Sequence, residues 1–337
     1  MNEPLVTVLM PVYNGETFLR EAIDSVLSQT YRDFVFLIIN DGSTDNTEKI
    51  ILSYNDSRIQ YEKNKENLKL IDTLNKGLSL VKTKYVARMD ADDICVPTRL
   101  ERQVAYMEQN LTVGVVGSWC RSFGENRNIQ NNKDENHDQE INHEQICFKQ
   151  LYQIQIVHPS SMMRMSVLKQ LDLAYDESYL HAEDYELFTR LSHITKLANI
   201  PEILHLYRKH NEAVSILFKN QQKENSLRII KREFSTIGVN ISDLQVEDFC
   251  RLNYQDYGNI QMSAAEMKSF LEQLAVANRS SQIFDDCFMS GKLSGLWFSY
   301  CYELNRSIAS YKSSFLAKKL SFIRILKWQI RRILKNN

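Results

Sequence analysis

Apolar runs that alternate with helical spacing constrain this chain more than any other feature. Residues 5–10, 34–39, 59–61, 85–89 and 113–117 are short, aliphatic and β-branched, and they predict strands. Between them, residues 18–28 place Leu19, Ile23, Val26 and Leu27 along one helical face, and residues 44–54, 71–80 and 97–106 continue as helices. Pro11 is expected to end the first strand, and Pro97 to open the last of these helices. Several strands are apolar on both faces. That pattern predicts an α/β fold, a Rossmann-like and mostly parallel sheet covered by helices. From about residue 221 onward there is no proline, and the chain reads as a succession of helices. Two regions are expected, 1–218 and a mainly helical 219–337, with the boundary near residues 218–223.

In open sheets of this kind ligands bind beyond the carboxyl ends of the strands. Three polar clusters stand there: Pro11-Val12-Tyr13-Asn14, Asn40-Asp41-Gly42-Ser43 and Asp90-Ala91-Asp92-Asp93. A parallel sheet brings all three to one edge. Asp90 and Asp92 alternate along an extended backbone, so both point into the same space. Like charges that close require a cation or hydrogen-bond donors, and oxygen ligands without a nearby Cys or His favour Mg²⁺ or Mn²⁺ over zinc. Taken alone, an Asp-x-Asp reads equally as a turn or a helix cap. Thr44 or Asp45 is expected to cap the helix that follows them. Farther on, Glu183 and Asp184 open a helix that buries Leu187, Phe188 and Leu191, where free amides and the helix dipole stabilise carboxylates.

A net charge of −1 over 337 residues gives no global attraction to nucleic acid, and no nucleic-acid partner is expected. Cys95, Cys120, Cys147, Cys250, Cys287 and Cys301 show no paired spacing, so reduced thiols and no zinc site are expected. No basic-then-apolar leader opens the chain and no run reaches membrane-spanning length. These features predict a cytoplasmic protein. Residues 123–144 are polar and predict a mobile loop or lid.

Five motifs occur in order: Pro11-Val12-Tyr13-Asn14-Gly15-Glu16, Leu27-Ser28-Gln29-Thr30-Tyr31, Asp41-Gly42-Ser43-Thr44-Asp45, Asp90-Ala91-Asp92-Asp93 and Glu183-Asp184. Together, across residues 4 to 215, they resemble the GT-A domain of family 2 glycosyltransferases. The resemblance implies an inverting transfer of a sugar from a nucleotide diphosphate, with UDP-sugar favoured, to an acceptor hydroxyl. It implies that Asp41 contacts the base and that Pro11, Tyr13, Glu16, Arg88, Asp90 and Ala91 line the nucleotide-sugar pocket. Glu16 equally suits the first helical turn. Asp92 is implied as ligand of a Mn²⁺ or Mg²⁺ ion, and Asp93 either ligates through water or organises the turn. Asp184 is implied as general base, with Glu183 the competing residue. The family's Tyr-Arg-x-His segment is matched by Tyr207 to His210, so His210 reaches the ion or diphosphate and Arg208 neutralises phosphate, unless His210 is a surface residue. His158 lies in a segment the family places near acceptor or phosphates, although a His before Pro is often structural. One departure is Lys69, which stands where the family carries glycine.

After Glu303 the chain has no acidic residue, and eight Lys and Arg between 312 and 335 interleave with apolar residues. A basic amphipathic helix suits an anionic membrane surface, and the alternative is a helix packed on the protein. The reading as a whole is transfer to a lipid-linked or polysaccharide acceptor in surface-glycan assembly, at the inner face of the membrane. The competing readings are a sugar-phosphate nucleotidyltransferase, which usually carries a glycine-rich phosphate loop absent here, and a non-catalytic nucleotide-sugar-binding protein, which needs no base.

Overall fold

The computed structural model describes residues 4–124, 136–137, 139–171, 174–210 and 218–304. Residues 312–335 and most of the expected loop at 123–144 lie outside the described residues. The chain divides into two compact units, Met1–Ser226 and Leu227–Asn337.

The alternation of strand and helix is realised as β1 (Val6–Val12), α1 (Leu19–Leu27), β2 (Phe34–Asn40), α2 (Thr47–Leu52), β3 (Ile59–Lys63), α3 (Leu70–Leu80) and β4 (Tyr85–Arg88). Then follow β5 (Ile94–Cys95), α4 (Arg99–Gln109), β6 (Val113–Gly124), β7 (Asn136–His137), α5 (His143–Lys149), a 3-10 turn (His158–Ser160), β8 (Met162–Arg164) and α6 (Met165–Leu168). A second 3-10 turn (Glu177–Tyr179), α7 (Glu183–Ser192) and β9 (Lys196–Lys209) complete the sheet, whose order is β3-β2-β1-β4-β8-β6-β9-β5, with β7 against β6. β1 to β4 are mutually parallel, and β8 enters antiparallel between β4 and β6.

The period of two along β1 divides the core. Val6, Val8 and Met10 pack with Leu19, Ile23, Leu100 and Val104 of α1 and α4, whereas Leu9 faces Leu74 and Leu78 of α3 and Leu187 of α7. Both faces of the sheet are therefore covered, which explains why its strands are apolar throughout.

Two expectations change. β1 runs through Pro11 to Val12, because its ladder to β4 ends at Leu9↔Arg88 while pairing to β2 continues. Proline's missing N–H thus faces a side with no strand partner, where it costs no ladder bond. β6 extends to Gly124 by pairing with β9, so Phe123 and Gly124 belong to the sheet. Residues 136–137 pair with Arg121 and Cys120, and residues 143–144 begin α5, so these parts of the expected loop belong to regular elements.

The second unit is helical: the later part of α8 (Lys219–Ile237), then α9 (Asp243–Asn253), α10 (Ala264–Ser281) and α11 (Asp286–Glu303). Ser242 and Gln245 form a capping box on α9, as do Ser263 and Glu266 on α10. Phe249 meets Phe234 and Phe270 edge to face, with ring centroids 5.3 and 6.0 Å apart. No helix among the described residues is long and apolar enough to cross a membrane.

Lys69 adopts φ 76°, ψ 167°, a region that is essentially glycine's, at the N-cap of α3. The loop imposes it: the Leu68 amide donates to Asp41 Oδ1 at 2.8 Å, and the Lys69 amide donates to Asn67 Oδ1 at 2.8 Å. The backbone shape that glycine would give is present without the glycine. Relief of about 1–3 kcal/mol of strain outweighs the roughly 0.5–1 kcal/mol entropic cost of a glycine. Lys69→Gly should therefore raise stability by about 1 kcal/mol in urea unfolding, and a loss of stability would contradict the strained conformation.

Candidate active site

β8 is antiparallel to both β4 and β6, so β6 runs with β4, and β9 is parallel to β6. The carboxyl ends of β1, β2, β4, β6 and β9 therefore share one edge, and β8 begins there. α7 ends four residues before β9 starts at the opposite edge, where Lys196 pairs with Val113. Its ten residues span about 15 Å. That length returns Glu183 and Asp184 to the edge that carries Asp90 to Asp93.

At the β1 and β2 ends, two loops are stitched together by reciprocal bonds. The Asn14 amide donates to Ser43 Oγ and the Thr44 amide to Asn14 Oδ1, each at 2.9 Å. The Glu16 amide donates to Asp45 Oδ2, while Glu16 Oε2 accepts from the Asn46 amide and side chain. Glu16 thus supports the start of α2, a helix distant from it in sequence, and Asp45 Oδ1 accepts the Thr47 amide. Gly42, at φ +68°, passes so close to the next loop that a Cβ would lie 2.6 Å from the Glu66 carbonyl carbon. Asp41 is buried. Its Oδ1 accepts from Asn64 Nδ2 at 2.7 Å and from the Leu68 amide at 2.8 Å, which fixes the carboxylate plane. Tyr13 stands half exposed beyond Pro11, and Ala91 lies beside Gly15.

At the β4 end, one oxygen each from Asp90, Asp92 and Asp93 falls within 4.8 Å of the others. Arg88 is buried and its Nη1 pairs with Asp90 Oδ1, while its Nε has no hydrogen-bond acceptor. His210 Nε2 lies 2.9 Å from Asp92 Oδ2. Asp93 is committed on both oxygens, to His205 Nε2 at 2.7 Å and to the Arg208 amide at 2.7 Å, and so ties β9 to the turn. Burial and the charge of Asp90 push Asp92 above the usual carboxylate range, and Asp93 is raised well above it for the same reasons. The Arg208 guanidinium is engaged by protein: Nε donates to Asp92 O at 2.7 Å, Nη2 meets Glu21 at 2.5 Å, and Phe18 and Phe123 each lie 4.4 Å from its carbon.

Across the edge, Asp184 is half buried and Glu183 buried. Asp184 Oδ1 accepts the Tyr185 amide at 2.7 Å. Burial pushes Asp184 up to about 6, opposed by the Tyr185 amide and the Arg88 guanidinium and assisted by Asp90. Glu183 is raised by burial and by the charge of Asp184. Arg88 and Asp90 thus act electrostatically on Asp184, so the β4 and α7 carboxylates share one environment. His158 Nε2 meets Tyr175 Oη at 2.8 Å, and burial beside Arg88 holds the imidazole neutral. Asn75 clasps the Tyr175 backbone at both its N–H and its carbonyl.

The cluster fits a hard divalent cation: carboxylate oxygens of Asp90, Asp92 and Asp93 with no thiolate among them, and the His210 imidazole bonded to Asp92. Asp93 contributes by holding the frame. Asn64, Tyr175, Arg99 and His205 join the site without having been singled out from the sequence. Asn64 sits in a polar loop like many others, and the remaining three reach the site only through tertiary contacts.

The pattern described as "Glycosyl transferase family 2" matches residues 7–172. An uncharacterised glycosyltransferase of Haemophilus influenzae is 33% identical over 279 residues, covering 81% of this chain and 86% of that protein. Another from Methanocaldococcus jannaschii is 37% identical over 221 residues, covering 63% and 73%. Among solved structures, S. aureus TarS 1–349 in complex with UDP-GlcNAc is similar at TM-score 0.56 with 17% identity, covering 93% of this chain and 90% of that one. Mannosyltransferase PcManGT from Pyrobaculum calidifontis, in complex with GDP-Man and Mn²⁺, gives TM-score 0.52 at 14% identity, covering 92% and 85%.

Saturating Mn²⁺ at about a hundred times its Kd should stabilise the protein by about 2.7 kcal/mol. Thermal melts of Asp92→Asn should lose that gain, and an equal gain in this variant would remove Asp92 as ligand.

Proposed function

The chain belongs to the family 2 glycosyl transferases, and from that membership we propose that it moves a sugar, with inversion, from a UDP-sugar to a hydroxyl of a lipid-linked or polysaccharide acceptor. The observation that carries this reading is the pairing of two acidic centres at one sheet edge. One is a carboxylate cluster suited to a cation, and the other is the Asp184 carboxylate, beside Glu183, with proton affinity near neutrality. Displacement at an anomeric carbon needs exactly these two kinds of group on opposite faces of the sugar.

Asp184 takes the proton of the acceptor hydroxyl as the new bond forms, and the electron pair of the old bond leaves with the diphosphate. A carboxylate poised near 6 is deprotonated at neutral pH yet basic enough to accept that proton. Asp90, Asp92 and His210 would hold Mn²⁺ or Mg²⁺, which would neutralise charge on the diphosphate. Asp41, its plane set by Asn64 and the Leu68 amide, offers an acceptor to the imide N–H of uracil. The two fold relatives were captured with UDP-GlcNAc and with GDP-Man plus Mn²⁺, and the preference for uracil here rests on the family resemblance at Asp41. The basic and apolar residues interleaved at 312–335 support a placement on an anionic membrane surface, where a lipid-linked acceptor is presented.

Asp184→Asn should lower kcat by about 10²–10⁴-fold with donor affinity nearly unchanged. Because the base works deprotonated, kcat/KM of the native enzyme should rise with pH through about 6 and then level. A fully active Asn variant would remove Asp184 as base. Truncation before Tyr311 should release the protein from vesicles containing anionic lipid; undiminished co-sedimentation would assign that segment to packing.

A further inference from the structure

The polar layer beneath the acidic cluster has no part in the chemistry above. Arg99, in the first turn of α4, is fully buried, as are Gln103 one turn later and His205 in β9. Arg99 Nη2 donates to Arg88 O at 2.8 Å and to Ser161 O at 3.2 Å, and its Nε donates to Gln103 Oε1 at 3.1 Å. Gln103 Nε2 continues to Ser160 O at 2.7 Å and Val116 O at 3.3 Å. The pair therefore gathers carbonyls from β4, β6 and the lead-in to β8.

One of these carbonyls, Arg88 O, needs a donor for a topological reason, whereas Ser161 O already accepts the Arg88 amide at 2.9 Å. The β4–β8 ladder stops at Ala87↔Met162, and the Ser161 amide turns away to His158 O at 3.1 Å. Arg88 O is left without a strand amide at the point where the chain bends toward Asp90. A buried carbonyl without a donor costs about 1–3 kcal/mol. The guanidinium replaces that one missing amide.

Arg99 also faces His205. Its Nη1 lies 3.5 Å from His205 Nδ1, and since a guanidinium only donates, Nδ1 accepts and the ring proton sits on Nε2. That proton is donated to Asp93 Oδ2 at 2.7 Å. Arg99 thus holds both ends of the acidic turn, through Arg88 before it and through His205 and Asp93 after it.

We propose that Arg99, acting with Gln103 and through His205, is the positioning residue that sets Asp90, Asp92 and Asp93 for cation binding by standing in for the strand ladder where β4 and β8 part. The inference rests on the cation–diphosphate reading of the cluster. Arg99 touches neither ion nor substrate.

Charge alone is insufficient for this role, because a lysine keeps the charge and loses the planar fork that serves several acceptors. The test is Mn²⁺ titration by electron paramagnetic resonance in the presence of UDP, on folded full-length protein verified by thermal melting. Arg99→Lys should weaken Mn²⁺ binding at least tenfold and alter the spectrum of the bound ion. His205→Leu should do the same, and His205→Gln, which keeps a donor for Asp93, should recover most of the loss. If Arg99→Lys does not fold, the two His205 variants decide. Native affinity and an unchanged spectrum in Arg99→Lys and His205→Leu would overturn the inference while leaving the function standing. A native protein that binds no Mn²⁺ with UDP would remove both.

Discussion

Mutual repulsion among Asp90, Asp92 and Asp93 is the constraint on which the rest of the site depends. With oxygens within 4.8 Å of one another, each ionised pair costs roughly 3 kcal/mol at an effective dielectric of about 20. The fold holds them together by giving each a different partner: Arg88 for Asp90, His210 for Asp92, and His205 with the Arg208 amide for Asp93. Those partners come from β4 itself, from the end of β9 and from the chain just beyond it. The long β9, paired with β6 along nearly its whole length, is the element that makes the cluster possible. The cluster that results is suited to a divalent cation.

The same edge gives the two acidic centres different environments. Asp92 and Asp93 are both raised by burial and by the charge of Asp90, and Asp93 also by Asp92, whereas Asp184 is raised chiefly by burial and tempered by the Tyr185 amide and Arg88. Arg88 is the common neighbour, buried with one nitrogen unmatched and its charge felt on both sides. A single guanidinium therefore lies between the Asp90 cluster and Asp184 electrostatically.

Much of this was legible in the sequence because it rests on local rules. Apolar runs with strand and helix periods placed β1 to β4 and α1 to α4, and the parallel-sheet rule brought Tyr13, Asp41 and Asp92 to one edge before any coordinates. What escaped was non-local. Pro11 reads as a strand terminator until one knows that β4 has already turned away on that side. Arg99 and Gln103 look like an ordinary polar i, i+4 pair on a helix surface, yet they are buried, because the sheet splays above them. His205 alternates with Leu204 and Leu206 as any strand residue would, and only its pairing register sets it under Asp93. Lys69 is the converse case. The substitution for glycine is plain in the sequence, but that the loop keeps a glycine conformation follows from Asp41 and Asn67 gripping it.

The central claim is that one cleft offers a cation and diphosphate on one side and the Asp184 carboxylate on the other. Crystals grown with UDP and Mn²⁺, measured at the manganese absorption edge, test it most directly. The account predicts an anomalous peak bound by Asp92 and His210, bridging the diphosphate, with Asp184 facing the space where the donor sugar would lie. A peak elsewhere, or an Asp184 side chain opening onto a surface that the nucleotide does not reach, would contradict it.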